Sequence, residues 1–258
     1  MKMKMYQVDA FTEKLFGGNP AAVCILDKWL DDQLMQSIAA ENNLAETAFL
    51  VRNKDGFDIR WFTPAVEVDL CGHATLASAH VMFNYIDTGV NEVVFHSLRS
   101  GMLHVRRTGR LLTLDFPSDH FEKVEAPLAL VNGLGAQPVE TYLGRTDYMA
   151  VFRSQRDVEG LNPDFNVLAK LQARGVIVTA KGETVDFVSR FFAPQSGINE
   201  DPVTGSAHTT LIPYWSGVLG KAEMNAIQLS TRKGYLKCKH GGERVEISGN
   251  AVTYLIGR

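Results

Sequence analysis

Three short segments of this chain carry reactive side chains: Asn43–Phe49, Asp69–Thr75 and Glu200–His208. The second and third each contain a glycine, Gly72 or Gly205, where a loop of small residues leads into a helical pattern. A helix start presents N–H groups that have no partner within the helix, so it can hold an anion without any lysine or arginine. Glycine at such a start lets a ligand approach the backbone closely. These spacings predict an anion site built by two helix starts.

Cys71 and His73 flank the first of these glycines. A thiol at a helix N-terminus can have a lowered pKa and act as a base, whereas a single buried cysteine is often a small apolar filler. Both interpretations remain open for Cys71. Histidine is a common metal ligand, but the next histidine on the helix face of His73, His80, lies two turns away and cannot share one tetrahedral ion with it. We therefore expect no metal site.

The sequence gives little support to a serine hydrolase, to a nucleotide-binding enzyme or to Schiff-base chemistry. Asp201, Ser206 and His208 have the residue types of a hydrolase triad, but no strand, turn and helix surround them as a nucleophile elbow would require. The glycine-rich stretch Gly133–Pro138 ends in proline where a dinucleotide fingerprint needs a third glycine, and no Walker lysine follows. No lysine has the context of a Schiff base. We therefore expect a reaction that needs no cofactor.

A repeat relates the two halves of the chain. Arg60–Pro64 (Arg-Trp-Phe-Thr-Pro) returns 130 positions later as Arg190–Pro194 (Arg-Phe-Phe-Ala-Pro). The same offset aligns the alternating segments Gly56–Phe62 and Asp186–Phe192, which both predict half-buried strands. These matches predict a duplicated chain.

The same offset compares the candidate site residues of the two halves. It sets Cys71 opposite Asp201, and it sets Glu46 opposite Val176, which lies in an apolar strand. The carboxylate of Glu46 therefore has no acidic counterpart. We expect a duplicated site that is chemically asymmetric.

Helix caps and a closing hairpin extend the repeat. Asp31 or Asp32 should cap a helix upstream of the first repeat, and Asn162, followed by Pro163, should cap its counterpart. The closing segment Arg244–Ile256 predicts two strands around a Ser-Gly-Asn turn, of which the last could pair with either half.

The helices that follow the two loops are expected to be buried. At about residues 72–85 and 203–215 they are small and apolar on nearly every side, although Pro213 should end or kink the second. A helix that is apolar all round and flanked by strands indicates a sheet curled around it. We predict an α+β fold of two pseudo-symmetric halves, residues 1–118 and 119–258, each a curled, mostly antiparallel, barrel-like β-sheet around a central helix.

The composition is that of an ordinary folded protein. Of 258 residues, 45% are hydrophobic and 21% are charged, and the net charge is −3 with both signs interspersed. No basic stripe suits nucleic acid, and no window approaches the roughly 20 apolar residues that cross a bilayer. Cys24, Cys71 and Cys238 are scattered, which fits a reduced compartment. We expect a cytoplasmic protein without nucleic-acid or membrane partners.

Together with Gly18–Val23 (Gly-Asn-Pro-Ala-Ala-Val), the three reactive segments resemble the phenazine-biosynthesis-like isomerases. The resemblance runs from about Tyr6 to the C-terminus. It implies the diaminopimelate epimerase fold of two pseudo-symmetric halves, and it also implies a homodimer.

The resemblance assigns roles to individual residues. Glu46 is the implied acid–base residue, aided by His73, Asp201 and Ser206. Cys71 departs from the phenazine enzyme and is similar to the first catalytic cysteine of diaminopimelate epimerase, whose second cysteine is matched here with Asp201. The implied ligands of the substrate's carboxylate are Gly72, His73, Gly205 and Ser206.

We therefore predict a cofactor-independent isomerase that moves a proton within a small carboxylate substrate, at a cleft between the halves. Glu46 would be the main proton shuttle, and His73, Asp201 and Cys71 would tune or relay the proton. Two alternatives stand beside this prediction. One is an amino-acid epimerase or racemase that uses Glu46 or Cys71 with Asp201, and the other is a non-catalytic protein that binds a metabolite or another protein.

Overall fold

Strands and helices follow one another along residues 3–257, the part of the chain that this computed structural model describes. The chain divides into two compact units, the first formed by residues up to Phe116 together with those from Glu246 onward, and the second by Pro117–Val245. The strands are β1 (Lys4–Ala10), β2 (Asn19–Leu26), β3 (Glu46–Arg52), β4 (Phe57–Phe62), β5 (Glu67–Val68), β6 (Glu92–Ser97), β7 (Gly101–Thr108), β8 (Leu111–Pro117), β9 (Glu122–Lys123), β10 (Glu140–Leu143), β11 (Asp147–Val151), β12 (Gly175–Lys181), β13 (Phe187–Phe192), β14 (Glu223–Gln228), β15 (Gly234–His240), β16 (Arg244–Gly249) and β17 (Ala251–Gly257). The helices are α1 (Asp32–Asn42), α2 (Gly72–Val81, continued by a π-helical turn, Met82–Ile86), α3 (Leu128–Leu134), α4 (Gln155–Glu159), α5 (Phe165–Leu168) and α6 (Gly205–Leu219), with a 3-10 turn at Pro194–Ser196.

In the first unit, most neighbouring strands are antiparallel. β1 pairs with both β2 and β17, β3 pairs with β4, and β7 pairs with β6 and β8, whereas β2–β3 and β4–β6 are parallel pairs. α2 lies against β1, β2 and β3, and nine of its ten residues are buried. Small and apolar residues all round the helix make this burial favourable. The predicted curled sheet around a central helix is confirmed.

The second unit repeats the same series of strand pairings. β10–β11, β12–β13 and β14–β15 are antiparallel, and β11–β12 and β13–β14 are parallel. The first unit shows this alternation from β1 to β7. The central helix here is α6, whose Trp215 is buried and donates from Nε1 to Thr179 Oγ1 at 2.9 Å. The two strands that the repeat predicted, β4 and β13, are both present.

α6 does not end at Pro213 but continues to Leu219. Proline has no N–H to give to the carbonyl of Thr209, four residues earlier, and this loss normally breaks a helix. The backbone N–H of Asp119 donates to the Thr209 carbonyl instead, at 3.1 Å. A partner from a distant part of the unit therefore allows the helix to continue.

The predicted caps had mixed outcomes. Asp31 caps α1 and accepts from the N–H of Gln33 at 2.9 Å, as predicted. Asn162 does not cap the corresponding helix, because α5 begins only at Phe165 and Asp164 accepts its first N–H groups. The closing segment forms the two predicted strands, β16 and β17.

Buried apolar side chains form a core in each unit. In the first, Met35 of α1 packs with Phe49 and Phe62 on the sheet. In the second, Leu168 of α5 belongs to a cluster that includes Phe192. The strand starts and helix starts that carry the reactive residues are therefore anchored on packed elements. Among residues 3–257, no helix has both the length and the apolar character that spanning a membrane requires.

Candidate active site

Glu46, Cys71 and His73 lie together in the first unit. Asn43 ends α1 in a left-handed conformation (φ 47°), so the chain soon enters β3, whose first residue is Glu46. Cys71 is the N-cap of α2, and His73 is the second residue of that helix. Nε2 of His73 is 3.0 Å from Oε2 of Glu46, and its Nδ1 is 3.5 Å from Sγ of Cys71. All three side chains are buried, so the imidazole connects the carboxylate with the thiol.

The contact between Glu46 and His73 is close but incomplete. Oε2 and Nε2 are closed to solvent, and although they lie 3.0 Å apart, neither makes a hydrogen bond within residues 3–257. Buried polar atoms that remain unpaired destabilise a protein, and functional sites are where such atoms occur. The pair is therefore arranged to be completed by a proton or by a substrate atom.

Charge controls the protonation of this cluster. Burial by itself lowers the pKa of His73, but its two neighbours Cys71 and Glu46 outweigh burial, and the pKa lies well above its usual value. Burial, reinforced by the charge of Glu46, raises the pKa of Cys71 to about 11. Since Cys71 is then a neutral thiol near pH 7, the Glu46 carboxylate is the charge that keeps His73 protonated.

Asn19 is a site residue to which the sequence assigned no role. It is fully buried at the start of β2, and its side-chain amide lies 3.0 Å from Nδ1 of His73. A carboxamide can present nitrogen to a neutral imidazole or oxygen to a protonated one. Asn19 can therefore hold the ring in either protonation state. The available signal was a polar residue directly before a run of buried strand residues.

The same cluster has the composition of a metal site. Glu46, Cys71 and His73 offer donor atoms that all lie within 4.8 Å of one another. However, the imidazole faces the carboxylate with Nε2 and the thiol with Nδ1. One ion takes only one of these two ring nitrogens. This arrangement favours a proton relay over a metal ion shared by all three side chains.

The start of α2 places two of the predicted binding residues beside this cluster. Gly72 and His73 form the first turn and are buried, and the N-cap Cys71 makes no side-chain capping bond to them. N–H groups in the first turn of a helix lack acceptors in the helix itself, and the helix dipole adds positive potential there. The first unit therefore brings predicted binding residues next to the predicted acid–base residue.

The second unit holds the other predicted residues, Asp201, Gly205 and Ser206. Asp201 is 8% exposed, and its Oδ2 accepts from Thr204 Oγ1 at 2.5 Å. Thr204 is the N-cap of α6, which begins with Gly205 and Ser206. His208 is buried and bonded through Nδ1 to the carbonyl of Thr204 at 2.8 Å, and burial lowers the pKa of His208 to about 4. His208 is therefore a neutral structural residue.

The counterpart of Cys71 is Thr204, and not Asp201 as the fixed offset predicted. Cys71 and Thr204 are both N-caps that directly precede a glycine. Asp201 instead matches Val68, because the two residues contact equivalent strand positions. The N–H of Asp201 donates to the backbone oxygen of Phe191. Val68 pairs with Trp61, which is the residue that the repeat aligns with Phe191. The loop before α6 is longer than the loop before α2, so one offset cannot align both the strands and the helices.

The counterpart of Glu46 is also different from the prediction. β3 pairs with β4 so that Thr47 faces Phe62, and β12 pairs with β13 so that Val176 faces Phe192. Val176 therefore matches Thr47, and Gly175 takes the place of Glu46. A Cβ at Gly175 would collide with the ring of Phe191. The second unit thus has no space for a side chain where the first has its carboxylate.

The repeated Arg-x-Phe-x-Pro segments have a structural explanation. Arg60 binds Glu67 in a bidentate pair, with 2.7 and 2.8 Å contacts, and Arg190 binds Glu200 in the same way, at 2.8 and 3.0 Å. Each glutamate lies in the segment that leads to a site loop. Arginine suits this task because its planar fork matches a carboxylate. Both copies therefore use one device to attach the loop to the sheet.

Comparison with known proteins agrees with this fold. The family described as "Phenazine biosynthesis-like protein" matches residues 8–257. An uncharacterized isomerase of Pseudomonas aeruginosa is 52% identical over 259 aligned residues, which cover 100% of this chain and 98% of that protein. A crystal structure of a phenazine biosynthesis protein of the PhzF family from Enterococcus faecalis has a TM-score of 0.96 and 47% identity, and the match covers 100% of this chain and 98% of that one.

A more distant structure supports the fold alone. A probable proline racemase from Agrobacterium radiobacter has a TM-score of 0.65 at 9% identity, with coverage of 100% of this chain and 92% of that one. The predicted diaminopimelate epimerase-like fold is confirmed by these neighbours. The names of the close relatives support an isomerase activity. Because the family match spans nearly the whole chain, this protein belongs to the phenazine biosynthesis-like protein family.

Proposed function

We propose that this protein is a cofactor-independent isomerase that moves a proton within a small carboxylate substrate, with Glu46 as the acid–base residue. The observation that carries the proposal is the buried pair of Glu46 and His73, whose facing atoms are 3.0 Å apart and make no hydrogen bond within the described chain. A carboxylate held in this way is available to take a proton from carbon. The relatives named as isomerases agree with this class of reaction.

The surroundings of Glu46 support a division of labour. The first turn of α2, from Gly72 and His73, would hold the substrate's carboxylate and stabilise negative charge as it develops. The protonated imidazole of His73 would stabilise ionised Glu46 before proton abstraction. Glu46 would then remove a proton from an acidified C–H bond and return it to another atom of the same molecule.

Cys71 and Asp201 have supporting roles in this proposal. With a pKa raised to about 11, Cys71 is a neutral thiol that contacts His73 and is a poor resting base. Asp201, held by the Thr204 hydroxyl, is the proposed further acid–base residue, and the start of α6 is the proposed second carboxylate-binding element. Participation of both loops in one reaction is a prediction that variants in each loop can test.

The proposal is tested by solvent deuterium uptake. The protein is incubated in heavy water with a metabolite extract, and mass spectrometry identifies carboxylates that gain deuterium only when the protein is present. Glu46→Gln should then lose about 100- to 10,000-fold in exchange rate, which is the usual effect of removing an acid–base group. Cys71→Ala should lose less than tenfold, because a neutral thiol is not the base.

The variants also separate the alternatives. Full exchange by Glu46→Gln together with a dead Cys71→Ala or Asp201→Asn would show that the glutamate assignment is wrong. Deuterium at the α-carbon of an amino acid, with inversion of configuration, would identify an epimerase or racemase instead. Tight binding of a carboxylate without exchange in any candidate would identify a binding protein.

A further inference from the structure

Gln228, the last residue of β14, is a polar side chain with no solvent exposure in the second unit. Its Nε2 donates to the backbone oxygen of Asp201 at 2.7 Å and to Thr204 Oγ1 at 3.1 Å. Its Oε1 accepts from the backbone N–H of Thr204 at 2.8 Å. Two donors and one acceptor are all satisfied, which fixes the orientation of the amide. The side chain of Gln228 is thereby bonded to the loop that precedes α6.

These bonds set the direction of the Thr204 hydroxyl. Because Oγ1 accepts a hydrogen from Gln228, its own hydrogen is directed to Oδ2 of Asp201, 2.5 Å away. A chain of donors therefore runs from Gln228 through Thr204 to Asp201. Hydrogen bonds in such a chain polarise one another, and a donor to a carboxylate favours its charged form. The chain thus acts on the charge of Asp201 as well as on its position.

Among the described residues, the first unit has no buried equivalent of this brace; at an exposed position, Ser100 Oγ donates to the backbone oxygen of Asp69 at 2.7 Å. The parallel pairs β4–β6 and β13–β14 begin at the repeat-related residues Phe57 and Phe187. From the register at those residues, Ser97 takes the place of Gln228. The hydroxyl of Ser97 accepts from the N–H of Ser100 at 3.2 Å, within its own turn. Serine is too short to make the set of bonds that glutamine makes.

A cavity remains beside Ser97. Its volume is about 240 Å³, and residues of the segment before Cys71, such as Val68 and Asp69, form part of its lining. The ion pair of Asp69 with Arg99, at 2.6 Å, joins side chains that are 71% and 53% exposed, so it anchors the segment weakly. Within residues 3–257, the buried brace therefore exists only in the copy that carries Asp201. The repeat alone does not require it, which points to a specific task at Asp201.

We propose that Gln228 is a positioning residue, which orients the Thr204 hydroxyl and so sets both the place and the charge of the Asp201 carboxylate. The proposal rests on the proposed function, in which Asp201 takes part in moving the proton. Gln228 does not touch the substrate. It acts through Thr204.

The test uses two variants that divide the bonds of Gln228. Gln228→Glu keeps an acceptor for the Thr204 N–H but removes both donors, so the Thr204 hydroxyl is free to turn away from Asp201. Gln228→Met removes the acceptor as well. Gln195→Glu is the matched control, because Gln195 is also a bracing glutamine of the second unit, bonded to the carbonyl of Leu168 at 2.8 Å.

Three measurements are made on each variant of the full chain. Amide hydrogen exchange of Thr204 should stay slow in Gln228→Glu and become at least about tenfold faster in Gln228→Met, because only the second loses the acceptor. Carbon-13 NMR should show Asp201 titrating at higher pH in both variants. The kcat for deuterium uptake should fall about 100-fold in Gln228→Glu with little change in KM, as expected for a misplaced catalytic group.

A merely structural role predicts a different pattern. If Gln228→Glu leaves both the Asp201 titration and kcat as they are in Gln195→Glu, the positioning role is wrong even if stability falls. If the wild-type protein exchanges no substrate at all, the proposed function fails, and the titration of Asp201 still decides the role of Gln228.

Discussion

The protonation of His73 provides a direct test of the Glu46 site. Glu46→Gln keeps the size of the side chain and removes its charge. Oε2 of Glu46 makes no hydrogen bond within the described residues, so the substitution breaks no hydrogen bond made by that atom. Burial lowers the pKa of His73, whereas its neighbours Cys71 and Glu46 together hold that pKa well above its usual value. Because burial raises the pKa of Cys71 to about 11, the thiol is neutral near pH 7 and Glu46 supplies the charge. Without that charge, burial should dominate.

The separation of the two groups sets the size of the effect. Two unit charges 3.0 Å apart attract each other by about 5 kcal/mol at an effective dielectric constant of about 20. An energy of about 1.4 kcal/mol corresponds to one pH unit, so the loss of this attraction is large enough to lower the pKa of His73 through the neutral range. His73 should change from protonated to neutral at pH 7.

Nuclear magnetic resonance of the imidazole rings measures this change. The His73 signals, identified by their loss in His73→Gln, are followed from pH 4 to pH 10 in wild type and in Glu46→Gln. Glu41→Gln is the control, because it removes the same charge from an exposed position on α1. The electrostatic interpretation is wrong if His73 titrates at the same pH in wild type and in Glu46→Gln.

Three further outcomes are expected. As pH falls from about 6.5 toward 4, the free energy of unfolding of the wild type should fall by about 3 kcal/mol, because the folded pKa of His208, about 4, lies below its unfolded value. Chemical denaturation of His208→Gln should show a weaker dependence of stability on pH over this range. Arg190→Lys should destabilise the second unit by about 2 kcal/mol in the same assay, because lysine cannot replace both bonds to Glu200 and both bonds to backbone carbonyls. An unchanged denaturation midpoint would show that these bonds of Arg190 do not stabilise the unit. Cys71→Ala should leave hydrogen exchange along α2 nearly unchanged, since the thiol makes no side-chain capping bond, and rapid exchange in that variant would show that Cys71 holds the helix start.

The sequence predicted the repeated elements because each has a local pattern. Alternating residues mark β4 and β13, and the small, apolar residues around α2 indicate a buried helix. The end of α6 was not predictable in this way. Pro213 is a local signal for termination, whereas the N–H of Asp119 that compensates for it is far away in the chain. Local patterns predict elements well, but they cannot reveal compensation from a distant segment.

The site shows the same distinction. Glu46, Cys71 and His73 stand out by residue type, and the structure places them within contact distance of one another. Asn19 and Gln228 are ordinary residues in strands, and their roles depend on strand register and on how far their side chains reach. The fixed offset of 130 positions also matched Cys71 with the wrong partner, because the two loops differ in length. Residue type therefore identified the reactive groups, and only three-dimensional contacts identified the residues that hold them.

Gly175 limits how this duplicated protein can change. A carboxylate placed there would create a second copy of the Glu46 position, but its Cβ would collide with Phe191, and the backbone oxygen of Phe192 lies 3.0 Å away. Phe191 would have to become smaller before an acidic residue at Gly175 could fit, and that first change alone would leave a void in the second unit. Neither single substitution gives an immediate advantage. The two units have therefore diverged in a way that point mutation does not easily reverse.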